Sequence, residues 1–191
     1  MRKIYILLIL PFVFGSCKQA KNEIDRLEWS KKYIEALNKS NYHQAASFFS
    51  DSVRLNELVY KSAFSKKDYR ELFQWDSVFR PTYKILDIQL KEDFVEMKIS
   101  KECKRILFLN EEPMITQERV YFNDEGIFSI DIVEYVVFND SLWSENRAEL
   151  VSWIAEKNPD LDGFLYDQSL KGGMKFKEAI DRFQEAKATK D

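Results

Sequence analysis

The sequence predicts an α+β fold: helices first, then an antiparallel sheet, then a helical tail. Three observations carry that expectation. Apolar residues recur at helical spacing from Trp29 to Phe49 and again from Tyr69 to Phe79. Between residues 83 and 138 the period shortens to two, with polar turns between the runs. Beyond residue 144 helical spacing returns. Helices and hairpin-linked strands in separate blocks favour segregated layers over a wound parallel sheet.

In chain order, Trp29, Tyr33, Ile34 and Leu37 share one face of a helix over Leu27–Asn38. Asn38-Lys39-Ser40-Asn41 interrupts it, and Tyr42, Ala45, Ala46 and Phe49 begin a second, shorter helix. Val53 and Leu55 predict a brief strand. Ser65-Lys66-Lys67-Asp68 pairs a capping serine with an acid three positions on, close to a capping box. Tyr69, Leu72, Phe73 and Phe79 then share a helical face that Pro81 closes. A strand over residues 83–90 ends at Lys91-Glu92-Asp93. Val95, Met97, Ile99, Cys103, Leu107 and Leu109 all stand at odd positions, which predicts one long strand with an apolar face. Residues 114–122 form another strand, Asn123-Asp124-Glu125-Gly126 a hairpin turn, and 127–138 the closing strand. Ser144 caps a helix burying Leu150, Trp153 and Ile154; Pro159 starts a short turn; Gly172-Gly173 reads as a helix break; Phe176, Ile180 and Phe183 mark a final helix.

The chain has 191 residues, 45% hydrophobic and 32% charged, which suits a single globular domain with its own core. Its formal charge is −3. Without Arg2 and Lys3 of the leader described next, 27 basic residues (29 less those two) face 32 acidic ones. That balance gives no attraction for phosphate backbones, so a nucleic-acid partner is excluded.

The chain opens Met-Arg-Lys, runs through the apolar IYILLILPFVFG and reaches Ser16-Cys17. A basic start, a dozen apolar residues and a small-residue boundary make a signal peptide over residues 1–16. Twelve helical residues rise about 18 Å, short of a hydrocarbon core of about 30 Å. Phe14-Gly15-Ser16-Cys17 resembles the bacterial lipobox, with Phe14 standing where Leu is usual. The resemblance implies a thioether-linked diacylglyceryl group and an amide-linked acyl chain such as palmitate on Cys17. It also implies a membrane anchor in the cell envelope, each buried methylene adding about 0.8 kcal/mol. Residues 17–26 are then the lipidated cysteine and a polar tether. Lys18 stands where many inner-membrane lipoproteins have Asp, which implies an outer-membrane location facing the periplasm. Cys103, the only other cysteine, has no partner once Cys17 is acylated; the alternative is a Cys17–Cys103 disulfide.

Residues 29–55 resemble the opening of the nuclear-transport-factor-like superfamily, which includes SnoaL-like polyketide cyclases and ketosteroid isomerases. The resemblance rests on Tyr33, Ala36-Leu37, Asn41, Ala45-Ala46, Phe48-Phe49 and Asp51, with the hairpin at Gly126 similar to the family's final strands. It covers residues 27–138 and implies a strongly bent, cone-like sheet (the cystatin-like α+β cone) around an internal pocket. Residues 139–191 are expected to form a helical extension of the same domain. Trp153-Ile154, Asn158-Pro159-Asp160-Leu161, Gly163-Phe164, Gly172-Gly173 and Ala179-Ile180 resemble an extension of uncharacterised bacterial lipoproteins, which implies no activity.

Little catalytic chemistry can be assembled. His43 is the only histidine and lies on a polar helix position, so neither a histidine-based triad nor His/Cys zinc spacing is available. Gly172-Gly173-Met174-Lys175 lacks the flanking residues of a phosphate loop. No cofactor or metal is expected. Carboxylates remain. In the pocket that the resemblance implies, Asp131 would be a base or ligand acceptor, Arg119 would bind an anionic group and Tyr135 would donate a hydrogen bond. Strict alternation puts Ser129, Asp131, Val133 and Tyr135 on one face. The plainer reading is an Asp131–Arg119 cross-strand pair on the solvated face, contributing about 0.2–1 kcal/mol. Alternation also puts Glu134 among Phe128, Ile130, Ile132 and Val136, which it does not explain. Phe48, Phe49, Phe73, Trp75 and Phe79 read as core. Two functional expectations follow: an envelope lipoprotein binding a small apolar ligand or a protein partner without catalysis, or an acid–base enzyme of the isomerase or cyclase kind using Asp131. A homodimer through the sheet's outer face is a third expectation.

Overall fold

A computed structural model describes residues 24–189. The signal peptide, the lipidation expected at Cys17 and tether residues 17–23 lie outside the described residues. The fold is α+β, as its sequence pattern requires. Helices α1 (Arg26–Asn38) and α2 (Tyr42–Ser47) precede the hairpin β1 (Phe49–Glu57) and β2 (Tyr60–Ser65), and helix α3 (Lys66–Ser77) follows. Strand β3 (Thr82–Leu90), strand β4 (Phe94–Glu102), helix α4 (Lys104–Asn110), strand β5 (Met114–Asn123) and strand β6 (Gly126–Val137) come next. Helix α5 (Asp140–Lys157), a 3-10 turn (Pro159–Leu161) and helix α6 (Leu170–Ala188) complete the chain.

The six strands lie in the order β2-β1-β6-β5-β4-β3. Four neighbouring pairs are antiparallel, as expected; β1 and β6 run parallel. The parallel pair follows from connectivity. After the β1–β2 hairpin the chain crosses through α3 to the far edge and meanders back until β6 docks on β1. Gly126 makes that docking close. Its φ is 148°, and a Cβ there would stand 2.5 Å from the Phe48 carbonyl oxygen, beside the bond that Ile127 N donates to the same oxygen at 2.8 Å. Register shifts interrupt the β1–β6, β3–β4 and β5–β6 ladders, and such bulges bend a sheet.

Helices α1, α2 and α3 cover one face. Tyr33, Ile34, Ala45, Tyr69 and Phe73 pack there against Val53, Val95, Met97, Ile99, Val120 and Ile127. A second core joins the end of α3 to α4, α5 and α6, through Phe79, Ile106, Leu109, Leu150, Ile154, Phe176 and Ile180. Each large apolar side chain buried in either core contributes about 1.5–3 kcal/mol of transfer free energy.

The caps explain several boundaries. Ser65 caps α3 as its sequence predicts, its Oγ accepting from Asp68 N at 3.2 Å and donating to Asp68 Oδ2 at 2.7 Å. Helix α5 begins earlier than expected, because Asn139 Oδ1 accepts from Leu142 N; Ser144 lies inside the helix. Strand β2 was not foreseen. The long strand expected to run past residue 102 stops there, and Cys103 caps α4, its sulfur accepting from Ile106 N at 3.5 Å. The helix wins because Ile106 and Leu109, three apart, can then both be buried, while Leu107 turns outward at 44% exposure. Gly172 and Gly173 do not break a helix: they lie in the first turns of α6, where Gly173 presses on the Trp75 backbone.

Candidate functional site

Polar residues gather on the helix-covered face where the two cores meet. Along α3 and the turn that follows it, Phe73 belongs to the first core and Phe79 to the second, and Asp76 lies between them. Along β4 the apolar face Val95, Met97, Ile99 is continued by Lys101 before Cys103 enters the second core. Lys101 Nζ donates to Asp76 Oδ1 at 3.0 Å and to Oδ2 at 2.9 Å, and Tyr83 of β3 donates its phenol to Oδ2 at 2.9 Å. Arg105 of α4 brings Nη2 to 3.9 Å from Asp76 Oδ1. Burial alone would raise the Asp76 carboxyl; the charges of Lys101 and Arg105 and the two donors outweigh it and hold it below its ordinary value.

Arg105 is well enclosed, with a side chain 14% exposed. Its guanidinium stands 4.9 Å from the Trp75 ring and 5.5 Å from those of Phe79 and Trp143. Arg105 Nε and Trp75 Nε1 are buried and have no hydrogen-bond partner among the described residues.

Next to this network lies a second carboxylate. Glu118 of β5 faces the same side as its ladder neighbours Met97 and Ile132 and accepts from Thr116 Oγ1 at 2.7 Å. Burial raises its carboxyl above the ordinary range, against the opposing effects of Thr116 and Lys101. The Tyr33 and Tyr69 hydroxyls meet at 3.2 Å. Burial raises both phenols, and Tyr83 with them, so all three stay protonated at neutral pH. The arrangement supplies fixed phenol donors, two neutralising cations and one carboxylate, Glu118, that ionises reluctantly. Its hydroxyls bonded to carboxylates are Thr116, on Glu118, and Tyr83, on Asp76.

The three residues proposed from the sequence separate. In the β5–β6 ladder Arg119 stands opposite Asp131, then Glu118 opposite Ile132, then Gln117 opposite Glu134 and Thr116 opposite Tyr135, which leaves Val133 as an extra residue. That bulge reverses the alternation. Asp131, Arg119 and Glu134 therefore face outward, away from the helices, while Tyr135 turns inward beside Thr116. The place of Glu134 is thereby explained. Arg119 and Asp131 are neighbours in register, yet Arg119 pairs with Glu96 at 3.4 Å. Asp131 Oδ1 instead accepts from Ser129 Oγ at 2.6 Å and Asn56 Nδ2 at 2.8 Å. Tyr135 donates to Glu57 at 2.6 Å; burial first, and that carboxylate next, raise its phenol.

The interior residues that sequence reasoning missed carried weak signals. Asp76 interrupts the apolar face of α3 three residues after Phe73, Lys101 continues an otherwise apolar strand face, and Glu118 stands between Thr116 and Val120 on another. A polar residue in such a place is buried with a partner or lines a site. Outside the interior, α5 and α6 leave a groove of about 500 Å³ floored by Trp153 and Phe183 and edged by Glu149, Glu156 and Lys187. No described helix is long and apolar enough to cross a membrane.

No protein-family model and no curated protein matches this chain. Among solved structures it is similar to a protein of Kribbella flavida, with 11% identity, 64% of this chain and 93% of that one covered, and a TM-score of 0.51. It is also similar to an NTF2-like protein of unknown function from Cytophaga hutchinsonii (12% identity, 63% and 96% covered, TM-score 0.48). An uncharacterised cystatin-fold protein from Novosphingobium aromaticivorans matches at 14% identity, with 59% and 100% covered and a TM-score of 0.49. At these identities the likeness to the Kribbella protein bears on the fold alone: the chain is an α+β protein with helices on one face of a bent mixed sheet.

Proposed function

We propose that this chain is a lipid-anchored protein of the bacterial cell envelope whose folded part binds a small ligand or a protein partner without transforming it. The observation that carries the non-catalytic reading is the closure of the interior charges on one another: Lys101 and Tyr83 occupy both oxygens of Asp76. A carboxylate so engaged is a poor base, because the cations and donors stabilise its ionised form and lower its affinity for a proton. The apolar floor of the α5–α6 groove supports a small apolar ligand or a partner segment there.

The anchor rests on Phe14-Gly15-Ser16-Cys17, and the outer-membrane, periplasm-facing location on Lys18. Expression of the full chain in a bacterium tests it. The parent should fractionate with membranes and yield a mature N-terminal peptide carrying diacylglyceryl and acyl mass on Cys17; Cys17→Ser should lose both. Unmodified Cys17 in aqueous material overturns the anchor. For a second copy docked on the outer face, sedimentation of the Cys17→Ser chain distinguishes monomer from dimer.

A second reading, acid–base chemistry, is favoured by one observation. Glu118 lies inside with a raised carboxyl, whereas Asp131 is outward and already bonded to Ser129 and Asn56. On that reading Glu118 replaces Asp131 as the base. Deuterium exchange into enolisable ketones, abolished by Glu118→Gln, would establish it; no exchange above the solvent rate leaves the binding reading alone.

A further inference from the structure

Between the α1–α2 turn, α3 and the first residue of α6 lies a groove of about 610 Å³, within the range typical of small-molecule sites. Tyr42 and Phe73 form part of its floor, their rings 5.8 Å apart and edge to face. Tyr42 is fixed by donating its hydroxyl to the Lys66 carbonyl at 2.6 Å. Leu170, the first residue of α6, contributes an apolar wall and is 45% exposed. The first residue of α6 thus closes one side of a groove that the N-terminal helices form.

The charged side chains of the rim, Lys39 and Arg70, are of one sign. Lys39, His43 and Arg70 line the groove and no carboxylate does, although acidic residues outnumber basic ones along the chain, 32 to 29. The α5–α6 groove, by contrast, is edged by two glutamates and one lysine. Arg70 is held over the Tyr42 ring, its guanidinium carbon 5.7 Å from the centroid, which leaves its N–H edges for an acceptor. Lys39 stands 4.0 Å from Glu35, with both side chains more than 60% exposed, so that pair yields readily to a better acceptor.

We propose that this groove binds an amphipathic anion, an acyl or aryl carboxylate. The apolar part lies on Tyr42, Phe73 and Leu170, and the carboxylate meets Arg70 and Lys39. The inference goes beyond the binding reading: that reading puts its ligand in the α5–α6 groove, and this one adds a second place and a ligand class.

The test uses the full chain in membranes and two photoprobes: dodecanoate with a diazirine at its far end, and the dodecanol with the same diazirine. Mass mapping after irradiation should place the carboxylate on peptides containing Tyr42, Phe73 or Leu170, about fivefold more strongly than the alcohol. Lys39→Glu with Arg70→Glu should remove that preference, while Lys61→Glu, a charge reversal on the exposed strand β2, keeps it. Arg70→Gln, a milder change on an exposed side chain, should weaken it and guards against misfolding of the double variant. Equal labelling by the two probes, or labelling unchanged in both charge variants, overturns the proposal. Carboxylate labelling confined to the α5–α6 groove or to residues around Glu118 overturns this site and leaves the binding reading standing. No labelling anywhere counts against both.

Discussion

Lys101 reaches both carboxylate oxygens of Asp76, at 3.0 and 2.9 Å, from a strand face that is otherwise apolar. Each side chain is about one-fifth exposed, so neither charge is well hydrated without the other. Removing one partner leaves the other charged and mostly buried, with Arg105 or Tyr83 facing a broken network.

Asp76→Asn should therefore destabilise the fold by about 3–5 kcal/mol, the cost of an uncompensated buried charge. Asp76→Asn with Lys101→Met should cost less than the two single changes together, by at least about 1 kcal/mol. Urea unfolding of the four proteins measures the coupling, and additive losses would show that the pair acts independently.

The two interior carboxylates should give opposite pH dependences. Asp76 is depressed in the folded state, so its contribution is present above the ordinary carboxylate range and is lost as pH falls through its lowered value. Glu118 is raised, so the folded state prefers it protonated, and stability is lost as pH rises from the ordinary range through its raised value. Glu118→Gln should be more stable than the parent at neutral pH and indistinguishable from it below about pH 4. Urea midpoints from pH 3 to 8 check this; a variant weaker at neutral pH would show that the ionised Glu118 is favourably paired.

Gly173→Ala provides a test of sign. In an exposed helix the change would stabilise by about 1 kcal/mol. Here a Cβ would stand 2.9 Å from the Trp75 carbonyl oxygen and 3.2 Å from its ring, so α6 must shift away from α3. A loss of about 1–3 kcal/mol is expected in thermal or urea unfolding. A gain would mean that the contact relaxes freely.

Cys103 is a free, buried thiol at the head of α4. Its reaction with a disulfide reagent should be slow in the native protein and should accelerate in parallel with unfolding, reporting on the second core. Fast labelling of folded protein would show that α4 opens by itself.

The elements most legible in the sequence were those whose apolar period agreed with their caps. Ser65 and Asp68 announce α3, and Asn123 to Gly126 announce the β5–β6 turn, because local chemistry and burial point the same way there. Alternation alone merges strand β4 and helix α4 into one strand, because Cys103, Leu107 and Leu109 fit it by coincidence. Ile106, out of phase with them and fully buried, was the contrary sign. Strict alternation puts Glu134 on the apolar face, an anomaly in the sequence; its outward position and the cause, the extra residue Val133, show only in pairing register. For the same reason Asp131 and Tyr135, which alternation puts on one face, are on opposite faces. Lys101, Asp76 and Arg105 come from three elements brought together by tertiary packing, and their juxtaposition has no local signature.

The β1–β6 pairing joins residues 49–57 to residues 126–137 across most of the folded chain. A nascent polypeptide carries the whole β1–β2 hairpin long before the strand that flanks it exists. Until that strand arrives, both sides of the hairpin offer unpaired amides and carbonyls to any neighbouring polypeptide. Chains truncated before residue 126 should thus self-associate rather than persist as compact fragments, and assembly of the sheet waits on the last strand made.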